Sequence, residues 1–415
     1  MNPNDLYTRR ESFYFKPSGV LRGFFIFCCV AGLVLFLVGL ATGQQQRAWG
    51  SFLFNLMFFF SLSLGGVVLG SMQDVIGAEW GRPIKRLHES FSAFLPYAVC
   101  AFLLFFLCIR FELLGAQGVY PWIRDPHLIE HFPGKNVWLQ RDFMLLRDVA
   151  ALFIMLFLAK WHMDQTVRGD FFFLQGKKTE GEAAAKESLR KLRYWSAPVL
   201  CVHSLCFSLI CFDLTMSLAP TWFSTLWAGW SFSILMHILL ASILICMFFL
   251  RSTPVGAFIG RSQFHDMGKL LHGFTVFFAY LTFAHVLTYW YTNIPEETSY
   301  FLARLEKPWI YLVLLSPVLS FVFPFFMLIP KVSKWNAALT LPVAFIVILA
   351  QWLNYFLVVM PEVMSPGELF FPWLEVGCFI GFLGLFLFSV TLFTKKVPLL
   401  NISDPLLAKS LCHKH

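Results

Sequence analysis

Ten long apolar runs divide the chain, near 20–42, 50–72, 91–111, 143–163, 197–215, 223–250, 269–291, 308–329, 337–360 and 372–393. A helix needs about 20 apolar residues to cross the hydrocarbon of a bilayer. The strands of a membrane barrel would instead read as short alternating segments. These runs are long and continuous, so they predict an all-α polytopic integral membrane protein of about ten transmembrane helices. Composition closes the alternatives. Of 415 residues 58% are hydrophobic and 13% charged, against roughly 45–50% and about 25% in a soluble domain. A water-soluble globule could not hide that much apolar surface, and a disordered chain needs the opposite balance. The first run follows 19 polar-rich residues and is too long for a signal-peptide core, so it is expected to stay as a helix.

Lys and Arg in the connections set the orientation. The N-terminal stretch with the first turn of the first run, the connections near 73–90, 164–195, 251–269 and 331–335, and the tail together carry 23 of the 32 basic residues. The alternate connections carry six: Arg47, Arg124, Lys135, Arg141, Arg304 and Lys307. This split predicts a cytoplasmic N-terminal segment over 1–19, a membrane domain over 20–394 and a cytoplasmic C-terminal tail over 395–415. The net charge of +8 is then a topology signal and points to no nucleic-acid partner. Two connections stand out. Residues 176–195 are Ala-rich with mixed charge and predict a short surface helix. Residues 113–141 carry three prolines and several aromatic residues, which predicts a structured outer cap, docking another protein or anchoring at the lipid interface.

Nine of the ten cysteines fall in spans, and no CxxC or CxxCH spacing occurs, so neither an iron–sulfur cluster nor covalent haem is expected. Buried thiols acting as small hydrophobes fit better. His272 and His285 share the seventh span. Thirteen residues at 100° each leave them about 140° apart around a helix, which does not suit two haems stacked along one face. His203 and His237 stand alone in their spans. No redox centre, ligated cofactor or metal is therefore expected in this chain.

Ionisable residues at membrane depth are functional candidates by default. On the outer side these are Arg110, Glu112, Asp142, Arg147, Asp148 and Asp213, either paired to neutralise helix ends or lining a proton route. On the inner side they are His88, Asp266, Lys269 and His272. Between the layers fall His203, His237, His285 and Glu375, as proton relays or as hydrogen-bonded packing residues. Pro317, Pro324 and the "SLAPTW" break after Asp213 free backbone carbonyls that must be satisfied inside protein or a wet cavity.

The run from Asp266 to Arg304, "DMGKLLHGFTVFFAYLTFAHVLTYWYTNIPEETSYFLAR", resembles the F-type membrane subunit of alternative complex III, an anchor of the polysulfide-reductase (NrfD-like) kind. The segments "FDLTMSLAPTWFSTLWAGW" from Phe212, "GRPIKRLHESFSAFLPY" from Gly81 and the "YPW" at Tyr120 follow the same order over roughly residues 75–310. The "WYTNIPEET" element is the most specific, and marks Trp290, Asn293, Pro295, Glu296 and Glu297 as a periplasmic docking motif. The resemblance implies two four-helix bundles, approximately 50–215 and 223–360, with one helix flanking each end. It implies a cofactor-free subunit of a quinol:cytochrome c oxidoreductase in the bacterial inner membrane. Its partners would be a second NrfD-like anchor, an iron–sulfur subunit and c-type cytochromes, with cytochrome c or a terminal oxidase downstream. The small molecule to expect is a quinol, menaquinol or ubiquinol. Asp213, Asp266, Lys269, Glu296 and Glu297 match the family pattern, whereas His272 and His285 depart from it.

Three readings compete: a quinol-oxidising complex's membrane subunit, as the resemblance implies, with a proton path through Asp213, Asp266, Arg147 and Asp148; a secondary transporter with a midplane site; or a passive anchor for cofactor-bearing subunits.

Overall fold

The computed structural model describes residues 10–130, 132–364 and 372–412. The start of the N-terminal segment, the last three residues of the tail and the side chain of Glu296 lie outside the described residues. The described chain is helical, with no strand. Ten long helices follow one another: α1 Gly19–Ala41, α2 Gln45–Val75, α3 Arg82–Arg110, α4 Arg141–Leu174, α5 Lys178–Leu214, α6 Trp227–Leu250, α7 Arg261–Thr292, α8 Trp309–Leu328, α9 Ala337–Val363 and α10 Trp373–Thr394. Among the described residues nine are long and apolar enough to span a membrane by length and composition. The tenth, α4, is long enough but carries Arg147, Asp148 and Lys160 within its apolar stretch. Each predicted span has its helix, and the protein is an all-α, multi-pass membrane protein.

α2 is the hub. It is buried along its apolar length, and its few polar side chains tie it to its neighbours. Asn55 donates to the Glu375 carbonyl of α10 and accepts from Trp352 of α9. Ser61 bonds Tyr355 of α9 at 2.7 Å, and Ser63 donates to the Phe91 carbonyl of α3. In lipid such bonds hold helices together where apolar burial gives little preference for protein over acyl chains. α2–α5 pack on one another, α6–α9 do likewise, and α1 pairs with α10 against α2.

That last pair meets backbone to backbone. Gly32 lies so close to Gly381 that an added Cβ would fall 2.3 Å from the Gly381 Cα, and Gly377 and Gly384 extend the contact. Small residues permit this approach, and the close van der Waals contact it creates drives association inside a bilayer.

Two connections differ from expectation. The stretch 176–195 is no separate surface helix. It is the start of α5, whose 37 residues reach about 55 Å at 1.5 Å per residue, beyond the ~30 Å hydrocarbon. Residues 82–89 are no exposed basic loop. They form the first two turns of α3, every side chain of them buried, before a 3-10 stretch Ser90–Phe94 leads into the apolar part.

The outer connection is structured, as its aromatic and proline content predicts. It folds as a 3-10 turn Leu113–Val119 and short helices Pro121–Arg124, His127–Glu130 and Pro133–Trp138. Tyr120 and Trp122 are buried beneath it. Trp49 of α2 donates to the Leu114 carbonyl at 2.9 Å. Lys135 donates to the carbonyls of Pro220 and Trp222, satisfying the backbone that the "SLAPTW" break frees. Phe13 and Leu399 are joined by a backbone hydrogen bond at 2.9 Å, so both ends of the described chain lie on one face, called here the terminal face.

Candidate functional site

Near the terminal face, α2, α3 and α4 enclose an ionic network. Asp74 comes from the last turn of α2, Arg82, Lys85, Arg86 and Glu89 from the first turns of α3, and His162 and Asp170 from α4; all are at most 1% exposed. Lys85 Nζ lies 2.5 Å from Asp74 and 3.7 Å from Glu89. Arg82 bridges Asp74 and Asp404, each at 3.3 Å. Arg86 holds Asp170 at 3.0 Å and the Thr166 carbonyl at 2.7 Å. His162 Nε2 stands 3.3 Å from Glu89 and 4.0 Å from Asp74, with Ser71 on its Nδ1. Charges so far from water survive only when paired and hydrogen-bonded. Here three cations face four carboxylates among the described residues. The set is therefore one positive charge short, with the His162 imidazole beside Glu89 and Asp74.

Glycine makes the network fit. A Cβ at Gly66 would fall 2.1 Å from the His88 carbonyl, and one at Gly70 would press on His162 and Glu89. The close approach lets His88 Nδ1 reach the Gly66 carbonyl at 2.9 Å.

At the opposite end of the same helices Asp213, at the end of α5, is fully buried. Arg147 of α4 grips it through Nε at 3.0 Å, and Trp138 of the cap donates to its other oxygen at 2.8 Å. The Arg147 guanidinium lies 3.7 Å from the centre of the Trp138 ring. Asp148, also fully buried, abuts Asp213, and neither of its oxygens receives a hydrogen bond from an N–H or O–H donor. The Arg147 guanidinium, on Asp213, is the cation beside this pair of carboxyl groups.

Between these ends His203 of α5 is buried, with Nδ1 on the Val199 carbonyl at 2.8 Å and the ring also facing the Met155 backbone of α4. Asp148, Met155 and His162 are spaced by seven residues and so share one face of α4, about 10 Å apart at each step. The titratable side chains thus form three levels: Asp148 with Asp213, His203, and His162 with Glu89.

The other candidates separate. Asp142 pairs with Arg110 at 3.0 Å and Glu112 with Arg141 at 2.9 Å, all on the surface. Lys269 is exposed and lies 3.7 Å from Asp266, and neither joins the network. His272, half-buried, stacks on Phe325. Glu375, expected between the layers, lies in the first turn of α10 and is clasped by Arg47 at 2.7 Å. Of the residues expected to form a docking motif, Trp290 is exposed, Asn293 ends α7 in the left-handed region at φ 45°, and Pro295 begins the helix Pro295–Leu305, with Glu297 half-buried on it.

His237 and His285 belong to a second region, in α6–α9. His237 Nδ1 accepts from Gln351 at 2.7 Å, so Nε2 carries the proton and donates to Thr275 at 2.8 Å. Gln351 accepts from Asn354, and Asn354 accepts from Ser316. Ser316 lies just before Pro317 and a π-helical stretch, Val318–Val322, of the kind often found at functional positions. Asn354 and Ser316 line a cavity of about 530 Å3 that also meets His285, Trp222, Trp227 and Trp230.

Glu89, His162, Asp74 and Asp170 escaped sequence reasoning because their neighbours read as a basic cytoplasmic loop. One signal was present: Lys85 and Glu89 are an i,i+4 pair inside a short helix-compatible run, beside an acid that ends the second apolar run. No family model matches the chain, and no curated protein is significantly similar to it.

Proposed function

We propose that the chain is the cofactor-free membrane subunit of a bacterial quinol:cytochrome c oxidoreductase of the alternative complex III type, and that it carries protons through α2–α5. The resemblance from Gly81 to Arg304 supports the first half of this reading. A single observation carries the second: buried titratable groups at three levels of one four-helix group. A protein that only needed to anchor its partners would gain nothing from burying them, since apolar side chains of similar volume serve stability as well or better.

In this reading the terminal face is cytoplasmic. A proton taken up at the His162–Glu89–Asp74 network passes to His203 and then to the Asp148–Asp213 pair, each step of about 10 Å bridged by a short file of water. Arg147 then sets the outer limit, since its charge, fixed on Asp213, opposes a proton returning from outside. Quinol oxidation, on an iron–sulfur partner, would supply the driving force, and the second NrfD-like anchor and the c-type cytochromes complete the assembly. The exposed Trp290 and the cap offer that assembly its docking surface.

Two measurements test this. Purification of the tagged chain in mild detergent should bring c-type haem absorbance and quinol:cytochrome c activity with it. A colourless monomer overturns the assignment and favours a transporter. In the assembled complex in vesicles, Asp148→Asn and Asp213→Asn should lower the number of protons moved per electron while electron transfer continues. Unchanged stoichiometry in both variants sinks the proton path and leaves a passive anchor.

A further inference from the structure

We infer that a second cavity, where α6 ends and α7 and α9 begin, is a binding site for a phosphate-bearing anion. It stands apart from the quinol reading and uses none of the residues of the proton levels. The cavity, of about 520 Å3, is lined by Arg251 at the end of α6, Arg261 and Phe264 at the start of α7, and Val332, Trp335 and Asn336 ahead of α9. Phe13 packs on Phe258 of the same α6–α7 connection, with ring centres 5.6 Å apart, which sets the cavity on the terminal face.

Its charge is unanswered. On the α2–α5 side of the terminal face Arg82, Lys85, Arg86, Arg168 and Lys191 each have a carboxylate within 4.0 Å. Arg251 and Arg261 pair with none among the described side chains, and no Asp or Glu lines the cavity. The two connections that meet here, 251–260 and 329–336, hold Arg251, Lys331 and Lys334 and no acid. Asp266, the acid of α7, comes five residues after Arg261, about 140° further around the helix, and lies beside Lys269. The bias of basic residues towards one face accounts for how many there are. It does not account for a cavity opening between them.

The rest of the wall agrees in sign. Asn336 spends its Oδ1 on the Ala338 amide at 3.0 Å, so its side chain has only N–H donors left to offer. The aromatic rings hold cations at the rim: the Arg251 guanidinium lies 6.0 Å from the centre of Phe264 and Lys331 Nζ 4.4 Å from that of Trp335. α7 and α9 add the positive ends of two long helices. Two guanidinium groups and an amide donor suit a phosphate, whose oxygens accept several charged hydrogen bonds at once. A lipid headgroup is the favoured source over a free ion. All three helices are long and apolar enough to span a membrane, and basic pockets at the ends of such helices seat acidic headgroups.

The test uses the full-length chain in nanodiscs of mixed phosphatidylglycerol and phosphatidylcholine, with native mass spectrometry reading the lipid each chain retains on release. Phosphatidylglycerol should be kept in preference. Arg251→Gln and Arg261→Gln should each weaken that preference about fivefold, the factor that one cation near an acidic headgroup carries. Both side chains are exposed, so these variants should fold as the parent does. Arg251→Lys and Arg261→Lys, which restore the charge, should recover most of the loss. Lys177→Gln and Lys409→Gln, elsewhere on the terminal face, should change nothing. A second arm titrates inorganic phosphate against the thermal midpoint in discs of phosphatidylcholine alone. Stabilisation that both glutamine variants abolish, without a lipid preference, keeps the anion site and assigns it to a soluble phosphate. A lipid preference that survives both glutamine variants, or that falls equally with Lys177→Gln and Lys409→Gln, overturns the site, as does indifference to both lipid and phosphate.

Discussion

Lys135 shows how much one side chain can fasten. It reaches from the cap to the two carbonyls freed by the break after α5, and burial there pushes its ammonium down to about 8 from its ordinary 10.5. Between those values an undocked cap holds the proton that a docked cap has lost. Docking therefore strengthens as pH rises from about 8 towards 10.5, and is flat below that window. Hydrogen exchange over residues 134–138, corrected for intrinsic rates, should show protection rising between about pH 8 and about pH 10, and Lys135→Met should remove the trend. Individual residues were legible in the sequence only where the helix around them was apolar. Asp213, Arg147 and Asp148 stood out as charges beside long hydrophobic runs, and they meet. Asp266 and Lys269 stood out for the same reason but sit near the start of α7, away from that cluster, because distance along one helix says nothing of which neighbour faces it. Glu89 and Asp74 were hidden among other charges, where burial leaves no compositional trace.

Elements were more legible than residues, because a bilayer imposes a length on every apolar run. All ten helices appear where hydropathy places them, yet their ends do not follow. α3 begins two turns early, and α4 and α5 run on past the membrane, since polar residues can continue a helix whose outer turns are paired or wet. The α1–α10 contact shows what hydropathy cannot express, since glycine counts there only by what it leaves out. Gly381→Leu must push two backbones apart, and overpacking of this kind costs about 1–3 kcal/mol. The thermal midpoint in detergent should fall accordingly. Gly273→Leu, on α7, meets nothing within 4 Å and should leave the midpoint in place; equal losses in the two variants would show that the close contact is not what holds α1 to α10.

At the scale of the whole molecule the end of the chain closes the network that its middle builds. Asp404 pairs with Arg82, and the Ser403 amide donates to Asp170 at 2.9 Å. Leu400 and Leu407 are buried beside them. The segment after α10 thus reaches α3 and α4 together, and covers the level where the proton path would begin. Ending the chain after Leu400 removes Asp404 while Arg82 stays buried. Removing one partner of a buried pair costs about 3–5 kcal/mol, with the upper value softened here because Asp74 still holds Arg82. Truncation should therefore lower the thermal midpoint by several degrees, and Asp404→Asn by less. The exposed pair between Lys409 and Glu79 gives the comparison: Lys409→Ala should stay within about 0.5 kcal/mol. If the segment also gates the network, the truncated chain in vesicles should exchange protons between His162 and the terminal-face solvent faster. That exchange can be read as a change in the pH dependence of proton uptake, while Lys409→Ala leaves it as it was. Loss of stability with unaltered proton uptake would make the segment a brace and nothing more.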